Sequence, residues 1–101
     1  MIVVVASITI KAGTRADYLK IFKANVPLVR EEKGCIEYFP TVDIETGLPP
    51  QVMNENIVTI IERWEDVQAL RDHLAAPHMT AYREKTKDMV EDVSIKVLQE
   101  A

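Results

Sequence analysis

The residues able to do chemistry crowd into one stretch, Ile57 to Tyr82, which reads IVTIIERWEDVQALRDHLAAPHMTAY. It holds the only tryptophan, Trp64, and both histidines, His73 and His78, and it ends at Tyr82. Histidine titrates near neutral pH and is the natural general base or acid there. His73 borders the apolar stripe Val67, Leu70 and Leu74 of a helical pattern. It either points under a sheet as a base or is a half-buried, hydrogen-bonded side chain. His78 opens the next helix after Pro77. The positive end of the helix dipole disfavours its protonated form there. It is open between a surface residue, a cap partner and a pocket base, and Tyr82, one turn on, reaches the same side.

Glu62 shares strand parity with Val58, Ile60 and Trp64. A carboxylate on an apolar face marks a polar pocket or is paired, with Arg71, Arg83 or a histidine as partners. Trp64 is either a core anchor between sheet and helices or the wall of a ligand site. Two further polar or aromatic positions lie outside the stretch. Tyr38, beside Phe39, puts aromatic surface on a second strand. Asn25 interrupts an apolar helix face beside Pro27, where it can meet a ligand or satisfy the carbonyl that proline leaves free.

Several chemistries lack their residues. There is no GxGxxG and no P-loop lysine motif, so a nucleotide site is not expected. The histidines stand five positions apart across a proline, not at the spacing that puts two metal ligands on one helical face. No Gly-Xaa-Ser-Xaa-Gly elbow exists, and Cys35, the only cysteine, has no histidine near it in sequence, which reads as a structural thiol. A lone cysteine forms no internal disulfide and fits a reducing cytoplasm. The net charge of −4 argues against nucleic acid and offers nothing to anionic membranes. The opening MIVVVASITI has no basic region and is too short to span a bilayer, so it reads as a strand and not as a signal or anchor.

These residues need a scaffold. The 101 residues, 48% hydrophobic and 28% charged, suit one globular domain over 1–101. Ile2 to Ile10 is β-branched and predicts a strand, apolar on both faces in its first half, which asks for cover on both sides. Thr14 is the expected N-cap of a helix with Asp17 in its first turn. Tyr18, Phe22, Val26 and Val29 mark that helix's inner face. Pro27 should kink it, and it should end near Lys33 with Gly34 in the left-handed conformation. Cys35 to Asp43 predicts a second strand, with Pro40 suited to an edge. Ile44 to Asn56 reads as a long loop, a lid or an interaction arm. Ile57 to Trp64 is the third strand. A helix begins at Glu65-Asp66, breaks at Ala75-Ala76-Pro77 and restarts with Met79, Tyr82, Thr86, Met89 and Val90 inward. Val93 to Leu98 is the last strand. The order β-α-β-β-α-(α)-β predicts an α+β, ferredoxin-like antiparallel sheet with helices on one face. The other face would need a partner, and two such sheets would close a dimeric barrel.

In that order the chain resembles the antibiotic biosynthesis monooxygenase family, and within it the bacterial quinol monooxygenases. The segments EEKGCIEYFPTVD (Glu31 to Asp43), IVTIIERWED (Ile57 to Asp66), HLAAPHMTAY (His73 to Tyr82) and the final VSIKVLQ carry the resemblance. It implies a homodimeric α+β barrel that oxidises small aromatic quinols to quinones with O2, using no metal, flavin or nicotinamide. It implies that Trp64, His73, His78 and Tyr82 line the pocket, with Glu62 adjacent. His73 or His78 would take the phenolic proton, with Glu62 as second choice, and Tyr82, Asn25 or Arg83 would hold the quinol oxygen. Haem-degrading relatives carry an asparagine near Ala6, which disfavours haem here. Two competing expectations are a quinone-binding dimer without turnover, and an isomerase of a small phosphorylated sugar that would need Arg71 and Arg83.

Overall fold

The computed structural model describes residues 1–101. Four strands and three helices follow in the order β1 (Ile2–Ile10), α1 (Arg15–Arg30), β2 (Cys35–Thr41), β3 (Ile57–Trp64), α2 (Val67–Ala75), α3 (Pro77–Thr86) and β4 (Val90–Leu98). The strands lie in the order β2-β3-β1-β4, and every neighbouring pair is antiparallel. This is the expected ferredoxin-like α+β sheet. The strand carrying Pro40 is an edge, where a missing N–H costs no ladder bond.

Strand alternation sets what faces the helices. Val4, Ala6, Ile8 and Ile10 of β1 are buried, as are Val58, Ile60, Glu62 and Trp64 of β3. The residues between them are half-buried. Helix α1 lays Tyr18, Phe22, Val26 and Val29 onto this face and runs unbroken through Pro27. Each large apolar side chain sealed this way contributes about 1.5–3 kcal/mol. Register then fixes the neighbours of the buried carboxylate: Glu62 pairs with Val4 on one side and Tyr38 on the other.

Local details depart from expectation in ways that matter for the site. Thr14 does not cap α1. Its backbone is already helical, and its hydroxyl turns back to donate to the Lys11 carbonyl at 2.6 Å. The helix ends at Arg30, so Glu31 to Gly34 form a turn of their own. Gly34 has φ +85°, as expected, but it also sits where a Cβ would stand 2.6 Å from the Ala69 Cβ. Its carbonyl accepts the Glu65 N–H at 2.9 Å. This close approach docks the turn onto the start of α2. There Asp66 caps the helix by accepting the Ala69 N–H at 2.8 Å, a contact whose loss costs about 1 kcal/mol. Ala76 is extended (ψ 140°) and Pro77 opens α3, the break the sequence implied. The last helix stops at Thr86, and Val90 starts β4, earlier than Val93. The segment 42–56 has no helix or strand. No helix is long and apolar enough to cross a membrane.

Candidate active site

The turn after α1 brings in a residue that the sequence did not flag. Glu32 reaches across to α2, and its Oε2 lies 2.8 Å from His73 Nδ1. A carboxylate oxygen has no proton to give, so Nδ1 donates and carries the hydrogen, which leaves Nε2 as the basic nitrogen. His73 is 1% exposed and lies between two rings. Trp64 is 4.7 Å away between centroids and Tyr38 is 5.4 Å away, edge-on. Burial pushes the His73 pKa below the ordinary imidazole value, and the bond to Glu32 only partly opposes this. Burial therefore favours the neutral ring.

The same Glu32 oxygen stands 3.3 Å from His78 Nε2. That contact lacks hydrogen-bond alignment, and both ring nitrogens of His78 are buried without a hydrogen-bond partner. One carboxylate thus stands between the two histidines.

Glu62 answers the question its strand parity raised. It pairs with neither an arginine nor a histidine. Trp64, two residues on and on the same face, donates its indole N–H to Glu62 Oε1 at 2.9 Å. At 6% exposure the carboxyl is pushed up to about 7, by burial first, against the pull of the Trp64 bond and with a push from Glu32. Glu62 can therefore hold or release a proton near neutrality. Tyr82 closes the group. Its hydroxyl shares a short hydrogen bond with Tyr18, and burial raises the pKa of both phenols.

These groups border one cavity of about 370 Å³ between the sheet and α3. Its polar lining includes Glu62, His73, Tyr82 and Arg83, and its apolar walls include Phe22, Ile60 and Met79. Val93 and Ile95 of β4 form its open side. The volume is in the range of small-molecule sites. Arg83 spends one N–H on the Leu74 carbonyl at 2.6 Å and forms no ion pair, so a cationic donor faces the space. Ala6 also lines it.

Of the residues singled out in sequence, His73, Glu62, Tyr38, Tyr82 and Arg83 border this cavity, whereas Trp64, His78, Asn25 and Arg71 do not. Trp64 is wholly buried behind Glu62 and His73 and anchors both. His78 and Asn25 face a separate groove between α1 and α3, with Ile21, Leu28 and Lys85. Asn25 donates to Met79 Sδ at 3.4 Å and leaves the cavity to the methionine. Arg71 is exposed. Cys35 is kept a thiol by burial, with Glu32 and Glu62 adding to the effect. No cluster of three or more histidine, cysteine, aspartate or glutamate side chains is arranged to hold a metal ion.

Residues 1–85, which span the cavity's helices and the carboxylate–imidazole pair, match the family described as "Antibiotic biosynthesis monooxygenase". The chain belongs to that family. Over 98% of its length it is 39% identical to the Escherichia coli (strain K12) protein named "Probable quinol monooxygenase YgiN", 97% of which is covered. A solved structure from Shewanella oneidensis aligns with a TM-score of 0.80 at 26% identity, over 96% of this chain and 87% of that one. A conserved protein of Methanosarcina mazei Go1 aligns with a TM-score of 0.84 at 22% identity, over 99% and 92%. The second of these likenesses is one of fold. The family therefore accounts for the sheet and its helices, and the side chains in this particular cavity have to account for the chemistry.

Proposed function

We propose that this family member is a quinol monooxygenase that oxidises small aromatic hydroquinones, menadiol-like in size, with O2 and without metal, flavin or nicotinamide. The observation that carries the reading is a buried His73, held through Nδ1 by the Glu32 carboxylate, on a largely apolar cavity. A hydroquinone becomes a strong reductant once a phenolic proton is removed, so the protein must supply a base, orientation and a dry wall. His73 Nε2 takes that proton. Arg83 meets the phenolate oxygen, Tyr82 hydrogen-bonds the ring substituent, and Phe22 and Tyr38 flank the aromatic plane. Glu62, poised near neutrality, serves the second oxygen as acid or base. Electrons pass from the quinolate to O2. Quinol and O2 then leave as quinone and hydrogen peroxide, or as hydroxyquinone and water when one oxygen atom is kept.

The reading includes a homodimer. Val93, Ile95, Val97 and Leu98 of β4 and Ile44, Leu48, Val52 and Met53 of the 42–56 segment are large apolar residues left in the open. An apolar surface of this extent is characteristic of an interface. A second copy over β4 would also close the open side of the cavity. The lone, half-buried thiol of Cys35 suits a reducing cytoplasm.

Oxygen uptake by metal-free protein with menadiol tests the function. Uptake well above the rate of autoxidation is expected. Retained quinone binding with no acceleration would make the protein a binding module instead.

A further inference from the structure

Glu32 touches His73 on the cavity and His78 on the outer groove through one oxygen, at 2.8 and 3.3 Å. His73 lines the cavity and His78 the groove of about 160 Å³ between α1 and α3. The two spaces share only Tyr82 as a wall. A half-buried histidine whose two ring nitrogens are both buried and neither hydrogen-bonded calls for an explanation. The exposed part of the His78 side chain is carbon, since that side chain is 22% exposed while both nitrogens are buried. No hydrogen bond ties the ring down, so it can turn. A half-turn about its axis exchanges the positions of its ring nitrogens and ring carbons.

We propose that His73, Glu32 and His78 form a proton relay that links the cavity to the outer groove, with Glu32 as the positioning residue and His78 as a turning carrier. The inference rests on the proposed oxidation of quinols. In the step it serves, the quinol O–H bond breaks as a bond forms from His73 Nε2 to that hydrogen. The Nδ1 proton crosses to Glu32 Oε2 and on to His78 Nε2, and rotation of His78 presents it to the groove. The electron pair stays on the quinolate and passes to O2. The reverse movement returns a proton to the reduced oxygen, so both histidines regain their starting tautomers and no charge accumulates in the cavity. Other groups around this line are Cys35 and Tyr38 on β2, Glu62 on β3 and Arg83 on α3. None of them makes a hydrogen bond to Glu32, so among the side chains only the two histidines are placed to exchange a proton with it.

Two measurements test it. In His78→Ala, quinone binding should persist while kcat falls by roughly tenfold, less than the ~10²–10⁴-fold typical of a group that exchanges a proton with the substrate itself. Added imidazole should restore most of that loss, and pyrrole, of the same shape but not basic, should restore none. An unchanged kcat, or a loss that pyrrole repairs as well as imidazole or that neither repairs, overturns the relay. The second measurement needs no turnover. In 15N-histidine spectra His73 should carry its proton on Nδ1, and the titrations of His73 and His78 should shift together. Glu32→Gln should uncouple them. Wild-type His73 protonated on Nε2, or two independent titrations, overturns the relay. Absent oxygen uptake by the wild-type protein would count against the proposed activity, and the spectra would still decide the relay.

Discussion

Ala6 has an isoleucine on either side in the sheet, Ile60 of β3 and Ile95 of β4, and both point to the same face. Ile60 is 2% exposed and Ile95 is 49% exposed. The residue type, strand geometry and face are the same, so the difference comes from what lies above. Helices α1 and α2 with the turn at Gly34 seal β2, β3 and β1, and the inner face of β4 is left uncovered. The sealed side can hold Glu62 and His73 away from water, which raises the carboxyl pKa to about 7 and lowers that of the imidazole, so that both neutral forms are favoured. The open side can hold nothing by itself. It offers entry to the cavity and apolar surface to a second copy. Positioning and access are thus divided between two parts of one sheet.

The largest effect expected on the sealed side is catalytic. His73→Ala should lower kcat/KM for a quinol by about 10²–10⁴-fold with the fold retained. A kcat/KM unchanged across the neutral pH range would remove His73 from the mechanism and leave Glu62 as the base. Next comes packing: Ile60→Ala should cost about 2–5 kcal/mol of stability in urea titrations, the range for truncating a sealed core side chain. A cost below about 1 kcal/mol would mean that the wall beside Glu62 is loose and that the cavity is wetter than its lining implies.

Much of this division was legible in the sequence. Alternation over Ile57 to Trp64 gave the buried face, and the parity of Glu62 with Trp64 placed both on it. Asp66 and Pro77 marked the helix starts, and Tyr18, Phe22, Val26 and Val29 marked the inner stripe. What lay hidden depended on contacts distant in sequence. Glu32 sits in the charged run Glu31-Glu32-Lys33, which looks like a solvated turn, and its partner His73 is 41 residues away. Only Gly34 hinted at it, because a glycine that close to α2 pulls the preceding turn over the helix. The residues alone leave His78 and Asn25 open, and the family resemblance implies His78 on the pocket and Asn25 among the groups for the quinol oxygen. Helical rotation instead gives the cavity Met79 and Tyr82, one and four positions on, and leaves His78 to the groove. Trp64 was legible as an anchor or a wall, and only its bond to Glu62 decides that it anchors.

Glu62 provides a sharper test of the seal, through pH. Its folded pKa of about 7 lies above the ordinary 4.5. Between those values the folded chain keeps a proton that the unfolded chain has released, so stability is fully present below 4.5 and is lost as pH rises through 7. His73 acts in the opposite sense. Its folded pKa is lowered, so its contribution is lost as pH falls below the ordinary 6.5. Glu62→Gln keeps an acceptor for the Trp64 indole and removes only the titration. Relative to wild type it should gain about 2 kcal/mol at pH 8 over its difference at pH 5. The same difference at both pH values would show that water reaches the carboxyl and that the seal fails there.

The smallest effect belongs to Ile95. In a dilute single chain, Ile95→Ala removes a side chain already half in water, so its cost should stay under about 1 kcal/mol. If a second copy covers β4, wild-type stability contains an association contribution that grows with protein concentration. Thermal midpoints of the wild-type protein should then rise between dilute and concentrated samples, and those of Ile95→Ala should rise less. The variant should also sediment with a larger share of monomer. The pair of isoleucines beside Ala6 then separates the two sources of stability: Ile60→Ala costs the same at every concentration, and the penalty of Ile95→Ala emerges only as chains meet. Equal, concentration-independent penalties at both sites would mean that β4 is covered by its own chain. In that case the 42–56 segment, with Ile44, Leu48 and Val52 exposed, would be the part of this molecule able to reach it.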